Sequence, residues 1–528
     1  MAFCSHSRAE EPLDRVSHIL IVFMENHSFD NLFGEYPDAD GVANAGAHAK
    51  QQTDKDGKPY ERLPPAKDPF VATDNPTSLR ALEALVGLPN GPFKIDGVLP
   101  GVSIATVVRD LRHRFYTHRA QIHGGNMNQY PAWSDAGAMV MGHYSKEALE
   151  STALWRLAHK GVLMDHFFQA AFGGSFLNHF WLICGCSPVW PDAQDELRSH
   201  LDSTGAPIQK PNGDSDDNIV TAKADGDWAV NTVQSVLFND GKQGEVLLPS
   251  QKAQTIGDSL TAKGVDWRWY AGGWDLAANP KRNADQNDTL VNVFRFQWHH
   301  QPFAYFQRFD PETETGRAER NLHLKAEAAL EDDIVEGKLP PVAFYKPAGI
   351  LNEHPGYSGI IAGAEHIEHI LHLLEQSPIK NSFAMIIVYD EYGGFWDHVS
   401  PPKLPDVKWR ADTFGPGSRV PAILISPLAR KGVVDSTPYD TTAILKLLQD
   451  HFHLDPLPSC RVNAQNSMAK LFSPGANLTH VQKSAVSDPS PSRRRSVNKK
   501  SIRSHAEFHA RAPLPEFPRP INVEHDLI

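Results

Sequence analysis

The sequence predicts an α/β protein with three layers, α/β/α, around a largely parallel central sheet. Two observations carry this. Short apolar runs without polar alternation recur along the chain, and such runs belong to strands covered on both faces, as in parallel sheets. Segments between them carry helical spacing, giving strand–helix–strand units. In order, the runs are "HILIVFM" at 18–24, "VDWRWYAGG" at 265–273, "PPVAFYKP" at 340–347, "FAMIIVYD" at 383–390 and "RVPAILISP" at 419–427. Between two of them, "GIIAGAEHIEHILHLLEQS" at 359–377 spaces its Ile, Leu and Ala residues for a helix of about five turns. "TTAILKLLQDHF" at 441–452 predicts a second amphipathic helix, with Asp440 or Thr441 as its N-cap.

Two stretches differ. Pro191 to Asp227 is rich in Asp, Ser, Gly and Lys and reads as a polar insertion within a catalytic domain spanning 1–483. From Ser484 to Ile528 the chain is Pro- and Ser-rich, with few aliphatics and a basic cluster at Arg493–Arg495, and reads as a disordered tail. No internal repeat is visible.

Of the 528 residues, 41% are hydrophobic and 22% charged, a composition able to bury a sizeable core. The net charge of -12 argues against a nucleic-acid binder, because phosphate-backbone affinity needs a basic surface. No run reaches the roughly 20 apolar residues of a membrane-spanning helix, so no integral membrane segment is expected. "MAFCSHSRAEEPLDRVSH" lacks the basic and apolar regions of a signal peptide. The four cysteines (Cys4, Cys184, Cys186 and Cys460) form no zinc pattern. Cys184 or Cys186 bridged to another cysteine and both as buried free thiols are the two readings the spacing leaves open.

The ends of two strands raise a chemical question. Ile19 to Met24 is apolar and is followed at once by Glu25 and Asn26; Phe383 to Tyr389 is followed by Asp390 and Glu391. In open parallel sheets ligands bind beyond the carboxyl ends of strands, so these four side chains could converge on one crevice. Three carboxylates brought together repel unless a cation lies between them. All-oxygen ligands favour one divalent ion of the hard type, Ca, Mg or Mn, although carboxylates also bind Zn. Strand-end caps and loop charges are the plainer alternative.

"VFMENHSFDNLFG" and "YDEYGGFWDHVSPP" resemble the first and last signature motifs of the bacterial phosphoesterase family of acid phosphatases and phospholipases C, in the alkaline-phosphatase-like superfamily. Between them, "RDLRHRFYTHRAQIHGGNMNQY", "MGHYSKEAL", "AAFGGSFLNHFWLICG", "WHHQPFAYF", "LNEHPGYSG" and "GPGSRVPAILISPLARKG" follow in that family's order. The resemblance implies a metal held by Glu25, Asn26, Asp390 and Glu391, in agreement with the reading from the residues. It also implies a hydroxyl nucleophile in a glycine turn, which falls on Ser175. Without the resemblance Ser175 reads as a helix N-cap. Asn178 resembles the asparagine after the nucleophile and is expected either to contact a phosphate oxygen or to make a local turn contact. His113, His299, His300 and His354 match positions that the family places around the phosphate, where protonated rings would neutralise oxygens and exchange protons. Asp397 and His398 are expected to fix a loop, and His366, His369 and His372 to form a solvated helix face.

Departures from the phospholipase pattern shape the expected function. The nucleophile turn is Gly-Gly-Ser rather than Gly-Pro-Thr, and the core ends near Leu454 without extra β domains, both of which resemble the acid phosphatase branch. The expectation is metal-dependent hydrolysis of small-molecule phosphate monoesters through a phosphoserine. Its alternative is a phospholipase C-type diesterase acting on phospholipid headgroups. The resemblance implies a secreted or periplasmic enzyme.

Overall fold

Each apolar run becomes a strand of one sheet in the computed structural model. The structure describes residues 11–66, 80, 81, 83–191, 193, 221–223, 227–238, 247–278, 296–402 and 413–472. The tail and most of the polar insertion, about which the sequence makes predictions, lie outside the described residues. The strands of the main sheet are β1 (His18–Met24), β2 (Val162–Met164), β3 (Trp267–Ala271), β4 (Leu324–Ala326), β5 (Val342–Lys346), β6 (Phe383–Tyr389), β7 (Ala422–Ile425) and β8 (Val433–Asp435).

Their order across the sheet is β8-β2-β7-β6-β1-β5-β3-β4. Pairings are parallel except those of β7, which runs antiparallel to both β6 and β2. Among the described residues this one reversed strand is the departure from a wholly parallel sheet. β1, β5 and β6 lie at the centre and are buried throughout except at His18. A buried Ile, Val, Phe or Met side chain is worth about 1.5–3 kcal/mol over an exposed one, so burial of these strands contributes strongly to stability.

Helices group on each side. α1 (Phe29–Phe33), α2 (Phe115–Ile122) and α3 (Ala153–Lys160) come first in the chain, then α4 (Ser175–Cys184), α5 (Ile256–Ala262) and α6 (Ala328–Val335). α7 (Ile360–Gln376) and α8 (Thr442–His451) are the helices expected from periodicity. α7 packs with α3 and α6, and α4 packs with α8 and α5. The buried face of α7 is Ile360, Gly363, Ala364, Ile367, Ile370, Leu371 and Leu374, at helical spacing. Asp440 caps α8, accepting from Thr442 N at 2.7 Å.

Two expectations change. Cys184 and Cys186 are joined to each other by a disulfide at the end of α4, so they are not free thiols; Cys460 is free and exposed. The histidines of α7 are not merely solvated. His366 Nε2 lies 2.5 Å from Tyr345 Oη and 3.3 Å from Glu327, and His369 lies 3.7 Å from Glu331. Their carboxylate partners come from the segment opening α6, which a reading of α7 alone misses. Among the described residues no helix is long and apolar enough to cross a membrane.

Candidate active site

β1 and β6 end in register, with Met24 opposite Tyr389, so Glu25 and Asp390 leave the sheet side by side. Asn26 then turns the chain with φ of 64°, a left-handed conformation that asparagine tolerates better than most residues. Gly393, at φ 64°, packs against that turn; a Cβ there would fall 1.9 Å from the Asn26 carbonyl oxygen. The glycine lets the two strand-end loops touch. Asn26 N points at Asp390 Oδ1 from 3.4 Å.

Ser175 enters from a third element. Gly174 occupies the N-cap of α4 and Ser175 is the first helical residue, so the N-cap alternative for Ser175 does not apply. Its Oγ donates to Asn26 Oδ1 at 3.1 Å. The turn before it needs Gly173, at φ 84°, where a Cβ would meet the Phe115 backbone at 2.7 Å. Asn178 takes the local alternative: it accepts from Ala171 N at 2.9 Å and donates to the Ala171 and Gly174 carbonyls, each at 3.1 Å. It holds the turn that presents Ser175. One helical turn on, His179 Nδ1 donates to the Ser175 carbonyl at 2.7 Å.

The four predicted histidines gather around the same point. His300 Nε2 lies 2.6 Å from Glu25 Oε1, and His354 Nε2 lies 3.7 Å from Glu25 Oε2. His113 Nε2 lies 3.5 Å from Glu391 Oε1, while its Nδ1 donates to the Leu111 carbonyl at 2.5 Å. His299 packs edge-on against His300 and His179, with ring centroids 5.0 and 5.3 Å away.

Three neighbours escaped sequence reasoning. Lys346, the last residue of β5, is fully buried with Nζ 2.6 Å from Glu25 Oε1. Tyr357 donates to Glu25 Oε2 at 3.2 Å and stacks on His354. His179 is fully buried beside Asp390. A lysine closing an otherwise apolar strand was a usable signal; nothing local singled out the other two.

Electrostatics divide these groups. Burial works to raise Glu25, but the charge of Lys346, with a hydrogen bond from His300, outweighs it and holds the carboxyl well below its usual range. Asp390 is pushed up to about 6 by burial, only partly offset by Lys346. Burial drives Glu391 well above its usual value. Burial opposes protonation of His113 too, yet Glu391 and Asp110 raise it to about 9. His299 and His300 are both held low, chiefly by burial. The expected crowd of protonated histidines is therefore reduced: at neutral pH His113 is charged, and His299 and His300 are neutral.

The carboxylates fit a cation. Asp390 Oδ2 and Glu391 Oε1 are buried without a hydrogen-bond partner, and burial penalises the charge on both groups, a cost that a bound cation would offset. Glu25, His179 and Asp390 each bring a ligand atom within 4.8 Å of the others, and so do Glu25, His299 and His300. These two groups combine two carboxylates, Glu25 and Asp390, with three imidazoles, His179, His299 and His300.

Behind the site a buried network ties the two ligand loops together. Arg419 Nε donates to Asp397 Oδ1 at 2.8 Å and its Nη2 to Asp30 Oδ1 at 3.0 Å. His398 Nδ1 and Asp30 Oδ2 lie 2.7 Å apart. Asp397 and His398 thus fix the loop after β6 to the start of α1, as expected, and Arg419 is the cation between them.

The Phosphoesterase family model matches residues 16–455. The chain is 24% identical over 472 residues to Phospholipase C A of Mycobacterium tuberculosis, covering 85% of this chain and 74% of that protein. Against Non-hemolytic phospholipase C of Pseudomonas aeruginosa it is 22% identical over 478 residues, covering 86% of this chain and 56% of that one. Non-specific phospholipase C6 of Arabidopsis thaliana is 29% identical over 159 residues, or 25% of this chain and 30% of that one. Among solved structures, a protein in the alkaline phosphatase superfamily from Vibrio parahaemolyticus aligns at 10% identity and a TM-score of 0.31, over 61% of this chain and 65% of that one. Since the matched span, 16–455, takes in every residue of the site, the chain belongs to the phosphoesterase family and is a phosphoric ester hydrolase.

Proposed function

We propose that the chain hydrolyses phosphate monoesters in two steps, through a phosphoserine at Ser175. The observation that carries this is the position of one hydroxyl: Ser175 Oγ sits at the start of α4, 3.1 Å from Asn26 Oδ1, beside a buried cluster of carboxylates. A helix start directs backbone N–H groups at an incoming anion. A serine hydroxyl is a weak nucleophile unless something lowers its pKa. A divalent ion held by Glu25, Asn26, Asp390 and Glu391 would supply that Lewis acidity and offset charge on the phosphate.

Ser175 gives up its hydroxyl proton to water as it attacks phosphorus, and its P–O bond forms as the bond to the leaving alkoxide breaks. His113, protonated at neutral pH, can give the leaving oxygen its proton. His299, kept neutral by burial, can take a proton from the water that then attacks the phosphoserine. The Ser175 Oγ–P bond breaks, the serine oxygen takes back the proton held by His299, phosphate leaves, and His113 regains its proton from solvent. The fixed charges of Lys346 and His113 favour a doubly charged monoester over a singly charged diester.

A second reading, phospholipase C-type cleavage of phospholipid headgroups, is favoured by the names of the curated relatives. One set of metal ligands would serve both readings, and the steps at Ser175 are the same. A substrate panel separates them: an aryl phosphate and dispersed phosphatidylcholine, assayed from pH 5 to 8 beside Ser175→Ala. The monoester reading expects the aryl phosphate to have the higher kcat/KM, and Ser175→Ala to lose at least about a thousandfold in kcat. Faster cleavage of phosphatidylcholine would transfer the assignment to the diesterase.

A further inference from the structure

We infer that Lys346 is a resident cation of the site, a fixed ammonium that holds Glu25 and Asp390 together and limits the cluster to a single divalent ion. This rests on the metal reading above. Its basis is geometric. β5 pairs with β1, so the end of β5 delivers Lys346 to the strand ends from which Glu25 and Asp390 project. Nζ is 2.6 Å from Glu25 Oε1 and 3.8 Å from Asp390 Oδ2, and it lies 5.2 Å from the centroid of the Phe23 ring. The contacts are ion pairs without hydrogen-bond alignment, for Nζ has no hydrogen-bond partner. The side chain is wholly buried. An ammonium removed from water is tolerated only beside opposite charge. Here that charge is two of the groups that would hold the metal.

Charge balance limits the number of metal ions. Glu25, Asp390 and Glu391, when ionised, carry three negative charges. One ammonium and one divalent ion neutralise them. A second divalent ion would meet uncompensated repulsion from Lys346. Lys346 is thus a positioning residue with two opposed effects. It keeps the carboxylates together before the metal arrives, and it weakens the metal's hold by competing for Glu25.

Those effects separate a fixed cation from a lysine that merely packs. Protein stripped with chelator is titrated calorimetrically with Ca²⁺, Mn²⁺ or Zn²⁺ alone, and its melting temperature is read before and after. The expectation is that Lys346→Met binds the ion at least tenfold more tightly than wild type while melting lower when metal-free. Lys346→Arg should stay near wild type in both. Equal or weaker binding by Lys346→Met overturns the inference, since lost packing can only loosen the site. If Lys346→Met does not fold without metal, Lys346→Met/Glu25→Gln removes both partners and should melt above the single variant; failure to recover also overturns it. Wild type that binds none of the three ions defeats the metal reading instead. The metal-free cycle then still decides for Lys346: a shift in melting temperature that is simply additive counts against it, and a non-additive recovery supports the ion pair.

Discussion

Replacing Arg419 by methionine should be among the most damaging single changes outside the catalytic groups. The guanidinium is fully buried and makes five polar contacts: Asp397 Oδ1 at 2.8 Å, Asp30 Oδ1 at 3.0 Å, the Asp40 carbonyl at 2.7 Å, the Asp165 carbonyl at 2.8 Å and His398 Nδ1 at 3.2 Å. Methionine keeps much of the volume and none of the donors. Removing one partner of a buried ion pair costs about 3–5 kcal/mol, because the remaining charge stays buried. Each carbonyl left without a donor adds about 1–3 kcal/mol before relaxation. Asp30 keeps its His398 contact, which tempers the loss. The expected destabilisation is therefore about 4 kcal/mol or more, a large share of the 5–15 kcal/mol typical of a folded domain. Activity should fall further than stability alone requires, since the loops carrying Asn26 and Asp390 are no longer pinned to each other. Urea unfolding followed by tryptophan fluorescence measures the loss. Asp397→Asn, alone and combined, measures the coupling. A loss below about 1 kcal/mol, or strictly additive effects, would refute the view that Arg419 clamps the site.

Other outcomes follow from the same geometry. Glu353 is buried, and burial pushes its carboxyl up from an ordinary 4.5 to about 8. Because the folded state then holds a proton the unfolded chain has released, stability should decline as pH rises from about 4.5 to 8, by at most about 5 kcal/mol. Glu353→Gln should flatten that slope in melting temperature against pH; an unchanged slope would show that Glu353 does not set it. Asn178→Ala strips three hydrogen bonds, two of them buried, from the turn before Ser175 and should cost about 2–4 kcal/mol with a marked fall in kcat, read by urea unfolding and steady-state kinetics. Deleting residues 484–528 should leave kcat/KM within about tenfold, or 1.4 kcal/mol in barrier, of the full chain.

Much of the fold and site is legible in the sequence because it is written in local pattern. Continuous apolar runs mark β1, β5 and β6, and the abrupt polar ends of two of them mark Glu25, Asn26, Asp390 and Glu391. Motif order then draws in Ser175 and the histidines, which the fold does bring to one place. What stays hidden depends on distant pairings. Lys346 belongs to the site only because β5 pairs with β1, and Arg419 matters only because Asp30 and Asp397, far apart in sequence, fold onto it. The protonation of His299 and His300 is misjudged from sequence for a related reason. The motif resemblance implies protonated rings, but burial sets which rings carry charge, and burial is a property of the packed fold.

The central claim is that Ser175 forms the bond to phosphorus. Its most direct measurement is a rapid acid quench of the enzyme turning over a phosphate-labelled monoester, followed by mapping of the labelled peptide. Phosphate is expected on Ser175 and on no other side chain, formed at least as fast as the enzyme turns over. A site that stays unlabelled through a full single turnover, even with His299→Ala to slow the second step, would contradict the claim and leave attack by water as the chemistry of this enzyme.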